Sequence, residues 1–355
     1  MIVKEQPVAV IVAAWNAQET IQRAVTSALE QDLVGEVIVV DDASKDDTRG
    51  AALSADDGSG RLDVILLAEN GGPSRARNVA LSHSQTHYVC ILDADDYFLP
   101  GRIARLLGAD AGDWDILADD IVIVPEQVQH LPFSIAENNG QPGALVLDLT
   151  TFVTGNISRT ARPRGELGFL KPIIKREFLQ KHSLHYDETL WLGEDYALYT
   201  QALIAGARFC VVGACGYIAI QRGGSISGRH AASDLEKMAR FDEQCLANGA
   251  NLSASERAAL VAHRTATLRK CHYREVLDCK KARGPLPALA LLASRPSSVP
   301  YILGETITAK TAVLRNALRL APADQNSDQI RLLLGLRQSR LSVTASGGAK
   351  PVLKA

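Results

Sequence analysis

Four apolar runs alternate with segments of helical period along residues 8–110, and this alternation leaves few folds open. The run VAVIVA at residues 8–13 is continuous and largely β-branched, the pattern of a strand buried on both faces of a parallel sheet. Residues 19–31 then repeat apolar positions at Ile21, Val25, Ala28 and Leu29, which is helical spacing. The pattern recurs, with strands expected over 36–40, 64–67 and 88–92 and helices from Thr48 and over 74–82. Short connections between them predict a doubly wound α/β unit with a mostly parallel sheet. Ligands of such sheets bind beyond the carboxyl ends of the strands. The polar motifs fall there: Asn16 after the first run, Asp41 and Asp42 after the second, Asn70 to Gly72 after the third, and Asp93 to Asp96 after the fourth.

Two of these strand ends are acidic. The segment LDADD at 92–96 sets Asp93, Asp95 and Asp96 within four positions. Carboxylates so close repel one another unless a cation lies among them, and oxygen-rich clusters suit Mg²⁺ or Mn²⁺, which in turn bridge diphosphate oxygens. Taken alone, the segment fits a helix cap equally well, since Pro100 supports a helix start nearby. The segment DDASKDDT at 41–48 is open to the same two readings, but two acidic clusters at adjacent strand ends favour a shared ligand. Arg75 and Arg77 follow Gly71 and Gly72 at a helix start, where a guanidinium meets a phosphate, a base carbonyl or a surface ion pair. Glu194 and Asp195 open a predicted helix over 194–205, a position that favours acids on its own.

The series VAVIVAAWN (8–16), VVDDASKDDT (39–48), NGGPSRARN (70–78) and LDADD (92–96) resembles the family 2 glycosyltransferases of the GT-A fold in order, spacing and strand placement, over residues 8 to 225. GFLKPI (168–173) and LGEDY (192–196) are similar to the succinoglycan glucosyltransferases within that family. The resemblance implies an inverting transfer of a sugar, with glucose implied by the closer match, from a UDP-sugar to a lipid-linked oligosaccharide in exopolysaccharide synthesis, with Mn²⁺ or Mg²⁺ as cofactor. It also implies roles. Trp15 stands where the family usually has tyrosine and would stack on the uracil, beside Asn16. Asp42 would accept a hydrogen bond from the base, with Asp41 close by, and Arg75 and Arg77 would contact the nucleotide. Asp93 would sit by the ribose. Asp95 would bind the metal, helped by Asp93 and Asp96, and His230 would complete its shell. Arg222 belongs to a segment, 221–230, that would fold over the diphosphate. Asp195 would take the proton of the acceptor hydroxyl, with Glu194 as the rival, and Trp191 would stack on an acceptor sugar. Ala13-Ala14 replaces the usual Pro-Thr, so a hydroxyl contact to the base edge is missing.

Beyond residue 110 the expected organisation is an acceptor half to about 230, a helical basic extension over 231–340, and a disordered tail over 341–355. Net charge is −2, yet residues 264–355 hold 16 Lys/Arg against five Asp/Glu. A basic end suits peripheral contact with anionic lipid, and a solvated basic surface fits as well. The apolar stretch 286–303 is too short, and too broken by Pro287, Arg295, Pro296 and Pro300, to span a bilayer. With no leader pattern in residues 1–7, a cytoplasmic protein, peripheral on the inner membrane, is expected. No nucleic acid is expected as a partner. The six cysteines include no CxxC pair and read as reduced thiols. Two other classes share acidic strand ends. Nucleotidyltransferases usually carry a Gly-rich basic loop after strand one, where this chain has Ala13 to Ala17. Receiver-type modules would need neither Glu194-Asp195 nor 355 residues.

Overall fold

The computed structural model describes residues 8–129, 133–135, 144–157, 166–222, 231–317, 330–336 and 341–343. The chain divides into one unit of residues 1–158, 164–223 and 329–355 and a second of residues 159–163 and 224–328.

In the first unit β1 (Val8–Ala14) is buried except at Ala13, because it lies between β2 (Val34–Asp41) and β4 (Tyr88–Ile91), parallel to both. β3 (Leu62–Leu66) extends the sheet beyond β2. β5 (Tyr97–Phe98) belongs to a smaller sheet with β7 (Val122–Pro125), β12 (Tyr217–Gln221) and β13 (Arg331–Leu332). Past β4 the main sheet continues through β10 (Ile173–Lys175), antiparallel to β4 and to β6 (Ile116–Asp119), then β11 (Phe209–Val212), and ends at β9 (Leu145–Leu147). β8 (Phe133–Ile135) pairs with β14 (Leu341–Val343). The helices of this unit are α1 (Ile21–Leu29), α2 (Thr48–Leu53), α3 (Gly72–His83), α4 (Arg102–Leu107), α5 (Leu149–Gly155), α6 (Arg176–Lys181) and α7 (Glu194–Ile204). The doubly wound α/β architecture with a mostly parallel sheet expected from the alternation is the one found over β1 to β4.

A buried ion pair joins the two sheets. Arg102 is fully buried and donates to Asp119 Oδ1 from Nε at 3.2 Å and from Nη2 at 2.6 Å, while the rings of Phe98 and Tyr217 pack on its guanidinium. Asp119 Oδ2 accepts from the backbone N–H of Cys215 and Gly216 at 2.9 and 3.1 Å. One carboxylate at the end of β6 thereby fixes the turn into β12.

The second unit is helical: α8 (Ala232–Asn248), α9 (Ala254–Arg283), α10 (Pro285–Ala293) and α11 (Val299–Ala317). Ser253 and Glu256 form a capping box at the start of α9. Asp242 accepts from His263 at 2.7 Å, and Arg257 donates to the Leu246 carbonyl at 3.1 Å. The two pairs run in opposite order, so α8 and α9 form an antiparallel hairpin. No described helix is long and apolar enough to cross a membrane. The six cysteines are unpaired and five are buried, as small apolar side chains usually are.

The C-terminal boundary departs from the expectation of a helical extension to 340. The helical unit ends at 328, and the chain returns to the first unit, where β13 pairs with β7. Leu332 packs on the cluster of Val122, Val124 and Ile220, and buried Asp120 accepts from the backbone of Leu334 and Leu336 at 2.8 and 3.0 Å. The apolar run RLLLGL at 331–336 finds a core there. Residues 341–343, expected to be disordered, form β14; the rest of that tail lies outside the described residues.

Asp119→Ala leaves the Arg102 charge buried without its partner. We expect it to cost about 3–5 kcal/mol of unfolding free energy, read from urea denaturation followed by circular dichroism; a loss below about 1 kcal/mol contradicts the role given to the pair.

Candidate active site

The site is assembled on the rim where β1, β2 and β4 end. Asn16 leaves β1 with φ +50°. Its backbone N–H donates to Ser44 Oγ at 2.9 Å, and its Oδ1 accepts from Lys45 N at 2.8 Å. Asp41 Oδ1 accepts from Ser44 N at 3.0 Å, and Asp47 caps α2. Much of the acidic 41–48 segment is thus turn and cap chemistry. Trp15 stands half-exposed at the end of β1, a free aromatic face at the rim.

Asp42 is buried and accepts from the backbone N–H of both Gly71 and Gly72 at 2.8 Å. The carboxylate therefore shapes the entry to α3. Gly72 has φ +83°, and a Cβ there would come 3.1 Å from the Trp191 ring, so only glycine lets this indole lie against the turn. Trp191 keeps its other side half-exposed.

α3 anchors the segment that leads into α7. Ser74 Oγ donates to the Leu190 carbonyl at 2.9 Å. Asn78 donates to the Tyr186 carbonyl and accepts from Tyr186 N, both at 2.9 Å. These bonds strap residues 186–190 to α3. Gly193, at φ +72°, then turns the chain into α7. On the other side Phe152 stacks on Tyr196 and meets Tyr199 edge-on. The first turn of α7 is fixed from both flanks, and it presents Glu194 and Asp195.

Opposite lies Asp93, and two cations stand between. Arg77 Nη1 donates to Glu194 Oε1 at 2.7 Å and to Asp195 Oδ1 at 3.2 Å, while Nη2 donates to Asp93 Oδ1 at 3.0 Å. Lys171 Nζ lies 2.7 Å from Asp195 Oδ2 and 2.9 Å from Asp93 Oδ2. Both cations are buried. Burial alone would push them toward the neutral form, but Asp195, with Asp93 and for Arg77 also Glu194, outweighs it and holds both pKa values above the ordinary range. Burial also works against an ionised Asp93, and Lys171 and Arg77 more than offset it, so its carboxyl is lowered. The Tyr186 hydroxyl is buried over the same cluster, and burial with Asp195 beside it raises its pKa well above the usual tyrosine value.

Arg77, expected on a phosphate or base carbonyl, is instead committed to three carboxylates, because it is buried and a buried charge needs partners. Arg75 forms an exposed pair with Glu69 at 3.1 Å. Lys171 is the residue that reading for function missed. Its signal was a single ammonium before Pro172 in the otherwise apolar GFLKPII run, a charge led into a buried strand.

The other two acids of the 92–96 segment differ. Asp96 is buried, with Oδ2 accepting from the Tyr217 hydroxyl and Oδ1 from Ile220 N, both at 2.9 Å. Its expected place among metal ligands gives way to a role holding β12. Burial, then Asp95 and Asp93, pushes its carboxyl well above the normal range. Asp95 is part-exposed, and its nearest cation is Arg222, with Nη1 at 3.8 Å from Oδ2. Burial and the charge of Asp93 raise its pKa, so it is a carboxylate short of positive charge. Arg23 donates to the Asp95 carbonyl at 3.1 Å and fixes the turn.

No group of three or more His, Cys, Asp or Glu able to hold a metal occurs among the described residues; His230 lies outside them. This donor set suits Mg²⁺ or Mn²⁺ that takes one protein carboxylate and fills its shell with substrate phosphate oxygens and water, as these cations commonly do. A resident ion caged by protein alone does not fit it.

The profile of "Glycosyl transferase family 2" matches residues 9–145. Succinoglycan biosynthesis protein ExoU of Rhizobium meliloti (strain 1021) is 42% identical over 315 residues, covering 89% of this chain and 91% of that protein. ExoO of the same organism is 38% identical over 246 residues, covering 68% and 69%. The chain therefore belongs to glycosyltransferase family 2, and it is a glycosyltransferase. The likeness to succinoglycan enzymes expected from residues 168–173 and 192–196 is borne out by these two relatives. The crystal structure of S. aureus TarS 1-349 in complex with UDP-GlcNAc aligns with a TM-score of 0.53 at 22% identity, over 82% of this chain and 81% of that one, which shows the shared fold. Family membership removes the nucleotidyltransferase and receiver-type readings.

Lys171→Met removes the ammonium that positions Asp195 and Asp93. The expected result is a fall in sugar transfer of about 10²-fold, the scale of a misplaced reacting group, with nucleotide affinity changed far less. Unaltered turnover in a folded variant, checked by thermal melting, would show that Lys171 is only a structural charge.

Proposed function

We propose that the chain is an inverting glycosyltransferase that moves glucose from UDP-glucose to a lipid-linked oligosaccharide during synthesis of succinoglycan or a related exopolysaccharide, acting at the cytoplasmic face of the membrane. The observation that carries the reaction type is the Asp195 carboxylate, held between Arg77 and Lys171 at the rim where the nucleotide motifs converge. Two of its four lone-pair sites are used by these cations and the Tyr186 hydroxyl faces the same carboxylate; what remains can accept from an acceptor hydroxyl. The polysaccharide class is supported by likeness to ExoU and ExoO along most of both chains, and the donor sugar and lipid-linked acceptor by the resemblance in segments 168–173 and 192–196.

In this reading Trp15 stacks on the uracil, with the Asn16 turn and the Asp42-shaped Gly71–Gly72 turn as its floor. Arg222 turns from Asp95 to the diphosphate. Trp191 offers its open face to the acceptor sugar. The acceptor oxygen attacks the anomeric carbon from the side opposite the leaving group, its proton passes to Asp195, and the bond to the diphosphate breaks with the electron pair leaving on UDP. Arg77 and Lys171 keep the base in place throughout. Mn²⁺ or Mg²⁺ held through Asp95 would neutralise the charge that develops on the diphosphate. Glu194 is the second candidate for the base, since Arg77 takes only one of its oxygens.

Three variants separate these roles. Asp195→Asn should lower kcat by about 10²–10⁴-fold and leave UDP binding within a few-fold, measured by UDP release and calorimetry. Glu194→Gln should retain more activity than Asp195→Asn; the reverse order would make Glu194 the base. Asp95→Ala should abolish the metal dependence of UDP binding in calorimetry, and metal dependence that persists would remove Asp95 from the site.

A further inference from the structure

The helical unit displays apolar side chains that its own packing does not use. α10 reads PLPALALLA, without one polar side chain, yet Ala288 is its only buried residue. Leu286 and Leu289, three positions apart on one helix face, are 77% and 59% exposed. On α11 Leu303 and Ile307, four positions apart, are 50% and 62% exposed, while Ile302 is turned inward. Single exposed leucines need no explanation, but two pairs of large apolar side chains exposed on the successive helices α10 and α11 call for a cover.

The charge around them says what the cover is. Lys280, Lys281 and Arg283 are exposed in the last turn before α10. Such cations suit a helix C-terminus on their own. Here, however, they belong to a stretch of the helical unit, 264–317, with ten Lys/Arg against three Asp/Glu. A second copy of this chain would bring the same cations face to face. An anionic phospholipid surface satisfies both the cations and the leucines, the combination by which short helices lie in a membrane interface without crossing it. We infer that α10 and α11 rest on an anionic bilayer, with Leu286, Leu289, Leu303 and Ile307 among the acyl chains and Lys280, Lys281 and Arg283 at the headgroup phosphates. The surface deepens the reading of a lipid-linked acceptor given above, which would be met at that bilayer.

The test is sedimentation of the full chain with vesicles of equal phosphatidylglycerol and phosphatidylcholine, against vesicles of phosphatidylcholine alone, with no acceptor present. Binding to the anionic vesicles is expected to be at least tenfold stronger. The quadruple variant Leu286→Ser, Leu289→Ser, Leu303→Ser, Ile307→Ser and the triple variant Lys280→Glu, Lys281→Glu, Arg283→Glu should each lose most of it; all seven side chains are exposed, and circular dichroism checks that the helices remain. A chain left in the supernatant with anionic vesicles, or a quadruple variant that sediments like the parent, overturns the inference. So does a dimer in sedimentation velocity that the quadruple variant abolishes while vesicle binding is absent. Asp195→Asn should bind vesicles like the parent, and the quadruple variant should still glycosylate a water-soluble acceptor oligosaccharide. Failure of transfer therefore reads out separately from failure of docking.

Discussion

Arg77 and Lys171 hold together three carboxylates, Asp93, Glu194 and Asp195, that would otherwise drive the site apart. The five groups come from the start of α3, the lead into β10, the end of β4 and the first turn of α7. At these distances, in a setting shielded from water, unpaired like charges would cost far more than surface ones. The cluster is how α3 and the end of β4 are tied to the first turn of α7 and the lead into β10. Each cation touches Asp93 on one side and Asp195 on the other, so the position of Asp195 is referred directly to the end of β4.

Everything else at the rim supports that geometry. Asp42 shapes the Gly71–Gly72 turn, which sets the direction of α3 and so of Arg77. Ser74 and Asn78 strap residues 186–190 to the same helix, and the aromatic cluster of Phe152, Tyr196 and Tyr199 backs α7. Asp96 locks β12 through Tyr217 and Ile220, and Tyr217 in turn packs on Arg102 at the junction of the two sheets. Asp95 differs from Asp93 and Asp96, with Arg222 at 3.8 Å as its cation.

The parallel part of the sheet was legible because buried strands write long apolar runs and their polar ends write the rim. The antiparallel insertion of β10 was not, since three residues beside a proline leave no period to read. The acids of the two clusters have different environments, which their spacing does not show. Asp46 and Asp47 are turn and cap, Asp96 is a buried structural anchor, and Asp95 is part-exposed; the partners each one finds separate them, and spacing does not carry partners. Arg77 and Lys171 illustrate the same limit. Their partners lie 117 and 24 positions away, so a residue that looks like a phosphate contact in sequence becomes a bridge only once the fold brings α7 to α3. The return of residues 331–336 to the first unit was hidden by the basic composition around a short apolar run.

The claim that Lys171 acts through Asp195 is most directly tested by a double-mutant cycle on kcat with Lys171→Met and Asp195→Asn. If the ammonium works by positioning that carboxylate, the double variant should turn over about as slowly as Asp195→Asn alone, because groups acting as a unit are strongly non-additive. Two losses that multiply in full would show that Lys171 and Asp195 act independently, and would contradict the account.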